Sequence, residues 1–463
     1  MTPQLIQTAR QQAMQQAWEA YNGALPDPLT VKPSDINDNV KSNRCRPIVD
    51  KGVSFLFGQV LKITSDQSAG EDAQACLDGC WGHDDNRMTM LAKLAKHGGI
   101  CGHAFVKIIP PDADGDPCRL VVLDPMNMDI ITAPEDIDTV LGYTITYATR
   151  DPIDNTPTQK RQTITRVDPD DDAASGAYDT DSTWIIQDSI LRGGQWVPLA
   201  DAQVWDYPFP PVADCQNLVN SADHWGTPDL TPDLIAMNRA LNFIQSNTNR
   251  IIKNHAHPYV WGVGFRAADM EMTPGKVIVL PGQSSKLEAL QAYGDVGQCM
   301  AFADDLRSDM DEQSRVPAVA LGRLKDLPRG TISGVALQLL FQPLIEKTIE
   351  KQRLYGDLIR DISKRMLAIC GYNYDTNIEL HWQNLLPVDD LAAAQTAMIL
   401  SQLGVSTDTI LSQLGYNPDV ESEKTQVEAA KQAVNFTRGQ GVPPADGQEP
   451  PVAPAGSPFM GRT

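Results

Sequence analysis

Basic residues are the chain's first deficit. Lys and Arg number 38 against 59 Asp and Glu in 463 residues, a formal net charge of −21. Acidic surfaces repel phosphates, which argues against a simple nucleic-acid-binding domain and against docking on anionic membranes. Cysteine is sparse as well. Eight Cys in this length are far too few for a disulfide scaffold, and read as buried thiols of a reduced, cytosolic protein. No run approaches ~18 unbroken apolar residues, so no transmembrane helix is expected. The start, MTPQLIQTARQQAMQQAWEA, lacks a basic segment followed by an apolar one, so no signal peptide is expected. Nucleotide and hydrolase signatures are missing: no G-x-x-x-x-G-K-[ST], no G-x-S-x-G and no H-E-x-x-H. The glycines of GGICGHAF lead from a helix into a strand, the wrong order for a dinucleotide loop. No catalytic residue can be named, and the chain reads as a non-enzyme.

Apolar residues make up 42%, enough for a sizeable core and too many for global disorder. The length suits two to four domains or one elaborate fold. Charge is unevenly spread. Residues 112–188 hold 5 basic and 17 acidic residues, whereas residues 315–366 hold 10 basic and 5 acidic. A basic block inside an acidic chain marks either a functional surface or a solvated helix of mixed charge.

The pattern predicts helices over 3–22, 38–58 and 87–97, the last stopping at Gly98-Gly99. The middle turns β-rich: 104–109, 119–123, 141–149, 161–167 and 183–187 read as short strands between turn clusters. Asp168–Asp172 has no EF-hand spacing and reads as a solvated loop. A long helix over 228–254 follows, then a β-like stretch 259–290 and an acidic helix 295–314 that Val316-Pro317 stops. Residues 332–369 give the longest helical signal, about 57 Å at ~1.5 Å per residue, with a kink expected at Pro343. Its apolar face is expected to be Leu339, Leu340, Leu344, Ile345, Ile349, Leu354, Leu358, Ile362, Met366 and Ile369. A strand at 377–382, helices near 389–403, 406–415 and 420–436, and a Pro/Gly-rich tail complete the chain.

Cys76, Cys80, His83, His97, Cys101 and His103 fall close together, and thiolates and imidazoles are zinc ligands. Their spacing matches no common finger or knuckle. Cys76 and Cys80, four apart on a helix, are ordinary as small buried thiols. No metal and no cofactor is assigned; a metal-dependent enzyme built on these six residues is the alternative reading.

A helix of this length needs partners along it, which points to an oligomeric structural protein. The order of elements resembles the portal (head–tail connector) proteins of tailed bacteriophages over about residues 35–435. The resemblance is carried by NDNVKSNRCRPIVDKGVSFLFGQVLKI (37–63), LAKLAKHGGICGHAFVKI (91–108), LDPMNMDIITAPED (123–136), PGKVIVLPG (274–282), SRVPAVALGRLKDLPRGTISGVALQLLFQPL (314–344) and GVSTDTILSQLG (404–415). Within the fifth, Val316-Pro317 and then Ser333, Gly334, Ala336 and Leu337 carry the family pattern.

The resemblance implies an α+β portal fold. Residues 1–227 would be a mixed α/β wing, 228–254 and 295–317 the two stem helices, and 255–294 a small β-rich clip. Residues 318–331 would be a tunnel loop, 332–384 the long wing helix and strand, 385–437 an α-helical crown and 438–463 a disordered tail. It further implies a homo-oligomeric ring of twelve at one vertex of the virion capsid, assembled in the host cytoplasm without a membrane. Double-stranded DNA would be transient cargo, and terminase, head–tail adaptor, scaffold and major capsid proteins the partners. Arg323, Lys325 and Arg329 of the tunnel loop would touch DNA, unless they pair with acidic residues such as Asp304 or Asp309 of a neighbouring subunit. An oligomeric adaptor without a DNA channel is a further alternative.

Overall fold

The computed structural model describes residues 3–66, 70–113, 116–153, 155–167, 183–256, 260–263, 284–289, 295–323, 334–385, 397–404, 406–407 and 410. Two units separate, residues 1–385 and 386–463. The proposed solvated loop Asp168–Asp172, most of the clip, Lys325, Arg329, Ser333, the 420–436 helix and the tail lie outside the described residues. In the second unit, residues 397–402 are helical.

The first unit opens with α1 (Pro3–Asn22), α2 (Cys45–Phe57), β1 (Lys62–Ser65), α3 (Glu71–Trp81) and α4 (Asp84–Cys101). Next come β2 (His103–Ile109), β3 (Arg119–Leu123), β4 (Met128–Thr132), β5 (Val140–Arg150), β6 (Pro157–Val167), β7 (Thr183–Arg192), β8 (Gln195–Pro198), β9 (Gln203–Trp205) and β10 (Val212–Gln216). The remainder is α5 (Pro232–Ala256), β11 (Val260–Val263), β12 (Lys286–Ala289), α6 (Val296–Ser314), α7 (Gly334–Ile369) and β13 (Ile378–His381). The class is therefore mixed α+β, with long helices and antiparallel sheets.

Strands β4 to β8 form a meander with β9 paired to β7, and β10-β2-β3 make a smaller sheet. Alternation in β5 buries Tyr143 and Ile145 on one face, against Ile164 of β6 and Trp184 of β7, as a half-buried antiparallel sheet requires. Strand β2 is central in its sheet and buries Ala104, Phe105, Val106 and Ile108. Its residues therefore read as a continuous apolar run. The sequence pattern does not show β8, β9 or β10, which are short and lack apolar alternation.

Three expectations are corrected. The helix expected at 38–58 begins only at Cys45. Residues 40–44 instead lie along α5, whose buried side chains hold their backbone amides. Ser246 Oγ accepts from Val40 N at 2.9 Å, Asn242 Oδ1 from Ser42 N at 2.8 Å and Asn238 Oδ1 from Arg44 N at 3.1 Å. Four residues of helix advance ~6 Å and two of extended chain ~6.6 Å, so the two repeats match.

Second, α4 does not stop at Gly98-Gly99 but runs to Cys101, ending at Gly102 with φ 88°. The two glycines serve close packing. A Cβ on Gly98 would sit 1.9 Å from the Tyr355 hydroxyl, and one on Gly99 2.8 Å from a carboxylate oxygen of Asp229.

Third, the buried face of α7 is only partly the expected one: Leu344, Leu358, Ile362 and Met366 are buried as expected. Leu339, Leu340 and Ile349 are exposed, while Lys347, Thr348, Lys351, Ser363 and Arg365 are buried beside Leu344, Tyr355, Leu358 and Ile362. Arg365 fixes this face against β10, donating to the carbonyls of Pro210 and Val212 at 2.8 Å each.

Candidate functional site

The basic block gathers where α6 ends and α7 packs on α2, α3 and β10. Arg315 closes α6 in the left-handed conformation, φ 56°. Val316 is fully buried with Ile48, Leu234, Met310, Ala320 and Leu344 in a small core of its own. Pro317 then starts a 3-10 turn, Ala318–Leu321, which Gly322 ends at φ 81°. The start of the proposed tunnel loop is thus pinned by a buried valine, a proline and a glycine. Gly334 opens α7, and Ala336 is half-buried within it; Leu337 is helical too.

Two aspartates organise the charges. Asp311, near the end of α6, is paired with Arg44 of the segment before α2 and with Arg323 at 3.3 Å. Arg323, one of the three proposed DNA contacts, therefore pairs within its own chain. Arg315 reaches Glu350 of α7 at 3.2 Å.

Asp229, from the loop before α5, is fully buried. Lys347 Nζ stands 2.9 Å from its Oδ1, and Lys351 Nζ 2.6 Å from its Oδ2. Lys347 also donates to the Ser314 carbonyl at 2.9 Å. The backbone N–H of Asp229 donates to the Gly99 carbonyl at 2.8 Å. Asp229 thus ties α7 to the entry of α5 through its carboxylate and to α4 through its backbone N–H, and a lysine extends the network to the end of α6.

Burial alone would raise the Asp229 carboxyl; the two ammonium groups outweigh it and hold the carboxyl well below its usual range. Burial pushes Lys351 down to about 8, only partly countered by Asp229 and reinforced by Lys347. A buried ion pair is costly to desolvate and strongly destabilising to break. Asp229, Lys347 and Lys351 carry no local motif. The readable signal is two lysines four apart inside the buried stripe of a long helix, where long cations seldom lie without a partner.

The Cys/His group does not assemble as its spacing suggested. His83 caps α4, and His97 packs on Trp18 with ring centroids 5.6 Å apart. Cys101 is buried. His103 joins instead Asp214 of β10 and His224, both imidazole Nε2 atoms meeting the same carboxylate oxygen at 2.7 and 2.8 Å. Tyr143 donates to the other oxygen at 2.5 Å. With imidazole nitrogens and a phenol already on it, this carboxylate ties β2, β5 and β10 together. Cys76 and Cys80 meet Cys370, far away in sequence.

The phage portal protein family, SPP1 Gp6-like, matches residues 8–435. The chain belongs to that family. Portal proteins of this family are structural, non-catalytic, virion-associated components, and the mixed α+β class of this chain, with its long helices and antiparallel sheets, is consistent with that family. No curated protein matches the chain. Among solved structures, the neck of a native gene transfer agent particle computed with C12 symmetry is 14% identical, with a TM-score of 0.43, covering 80% of this chain and 90% of that one. The neck of an empty particle computed with C6 symmetry is 13% identical, with a TM-score of 0.45 and the same coverage. The identification as a portal rests on the family match.

Proposed function

We propose that this portal forms a ring of twelve copies at one capsid vertex, the channel for DNA packaging and ejection. The observation that carries the ring is apolar exposure on the three helices that follow the wing. Phe243 and Ile252 of α5, Met300 and Phe302 of α6, and Leu339, Leu340 and Ile349 of α7 are 38–64% exposed. Large apolar side chains exposed along long helices suit burial against another copy, and a second copy of the same chain is the occupant a ring supplies.

In this reading α5 and α6 are the stem and the clip lies between them. The clip faces terminase during packaging and head–tail adaptors afterwards, while scaffold and major capsid proteins surround the wing. The acidic wing keeps DNA from adhering, since every phosphate contact would resist sliding. Arg323 spends its charge on Asp311, which shifts the transient DNA contact to Lys325 and Arg329.

Electron-microscope images of the purified protein test the ring, which requires a closed particle with a central hole. The double variant Lys325→Glu with Arg329→Glu tests the loop. Reduced DNA packaging or retention is expected; unchanged packaging and retention would rule out loop contact with DNA.

A further inference from the structure

Half of the chain's eight cysteines converge on one place. Cys76 and Cys80 come from successive turns of α3, Cys118 from the residue before β3, and Cys370 from the first residue beyond α7. The sulfurs of Cys76, Cys80 and Cys370 lie within 4.8 Å of one another. Cys370 Sγ is 4.0 Å from Cys80 Sγ and 4.0 Å from Cys118 Sγ. The backbone N–H of Cys118 also points at Cys80 Sγ, at 3.3 Å. Cys80 and Cys118 are buried; Cys76 and Cys370 are partly open to solvent.

We infer that Cys76, Cys80 and Cys370, joined by the adjacent Cys118 as fourth ligand, form a tetrahedral zinc site that fastens the far end of the long helix to the strands it packs against.

Three physical points carry this. First, the spacing: zinc bonds thiolate sulfur at ~2.3 Å, so a regular tetrahedron has sulfur–sulfur edges of about 3.8 Å. The two edges at Cys370 are 4.0 Å and the Cys76, Cys80 and Cys370 sulfurs close within 4.8 Å, distances that a single small ion can bridge. They are nearly twice the ~2.05 Å of a disulfide. Second, the ligand set: four sulfurs with no carboxylate among them are the donors of a closed, structural zinc site, leaving no open position for catalysis. Third, the placement: the ligands span residues 76 to 370, and a clip closing so long a loop removes much conformational freedom from the unfolded chain.

The site is independent of the DNA-channel reading and would stand in a monomer.

The histidines that adjoin Cys76 and Cys80 in sequence take no part. Cys80 and His83 are close in the chain, yet His83, at the N-cap position of α4, is not among the groups whose ligand atoms meet Cys76, Cys80 and Cys370. The missing ligands come from residues 118 and 370.

Metal content of the full chain, purified without chelator, tests the site. One zinc per chain is expected, together with loss of that zinc in Cys370→Ser and Cys76→Ser and retention in Cys299→Ser, whose thiol lies on α6. If purification has stripped the metal, titrating the reduced protein with cobalt(II) gives a second readout. The intense visible bands of tetrahedral cobalt and a sulfur-to-cobalt charge-transfer band should appear and saturate at one equivalent. Protein that contains no zinc and gives no such bands would overturn the inference. So would iron in place of zinc, or a mass showing any of these thiols paired as disulfides in freshly isolated protein.

Discussion

Asp229 and Asp311 are each held between two cations, yet they sit in different physical settings. Asp229 is fully buried, and its lysines are only 3% exposed. Asp311 is 9% exposed, but its arginines reach outward, Arg44 at 13% and Arg323 at 32%. The inner cluster carries more positive than negative charge in a junction closed to solvent, so each member depends on the others. The outer one stands at the mouth of the proposed tunnel loop, where water can replace a lost partner. The first is built to hold α4, α5 and α7 in one arrangement.

The largest effect expected from this contrast is on stability. Asp229→Asn leaves two buried ammonium groups facing a neutral amide, and should cost ~3–5 kcal/mol or prevent folding. Thermal or denaturant unfolding of the full chain measures it. Asp311→Asn, read in the same way, should cost only about 1 kcal/mol, since part of the charge on its partners is hydrated. Equal losses would erase the distinction.

Gly98→Ala should come next. Its new methyl would meet the Tyr355 hydroxyl, whose hydrogen bond to Asn217 Oδ1 spans 3.2 Å. Overpacking of this kind costs ~1–3 kcal/mol, and Tyr355→Phe in the same chain should recover part of it.

The pH dependence sharpens the comparison further. Lys351 falls from its ordinary 10.5 to about 8 in the fold. Between those values the unfolded chain binds the extra proton, so stability from this group rises with pH from about 8 to 10.5. Lys351→Met should remove that rise, while Arg323→Gln leaves it in place. Asp229 acts at the other end. Its carboxyl is depressed below 3.8, so its contribution is present above that pH and fades as pH falls further. The smallest effect belongs to Arg323→Gln itself, within about 1 kcal/mol, seen by unfolding.

Much of this fold is written in local pattern. Strand 119–123 coincides with β3, helix 295–314 with α6 to within a residue, and the Val316-Pro317 stop with the observed turn. Such features depend on neighbours a few residues away. The errors arise where distant residues decide. Residues 40–44 look helical, yet Asn238, Asn242 and Ser246 claim their amides. Gly98-Gly99 looks like a stop until Tyr355 and Asp229 are brought against it. The apolar count on α7 favoured Leu339 and Ile349 over Lys347 and Lys351, because Asp229, more than 100 residues earlier, is invisible to a helical period. The Cys/His group failed for the same reason: proximity in sequence nominated His83 and His97, and the fold chose Cys118 and Cys370. The helix stop at Val316-Pro317 was legible in the sequence; the pairing of Arg323 with Asp311 was not.

The central claim is that this portal works as a ring, and imaging of the purified full-length protein tests it most directly. The account predicts closed particles of twelve subunits with a central channel, in which Phe302, Leu339 and Leu340 are covered by adjacent copies. A stable monomer, or an open assembly without a hole, would contradict it.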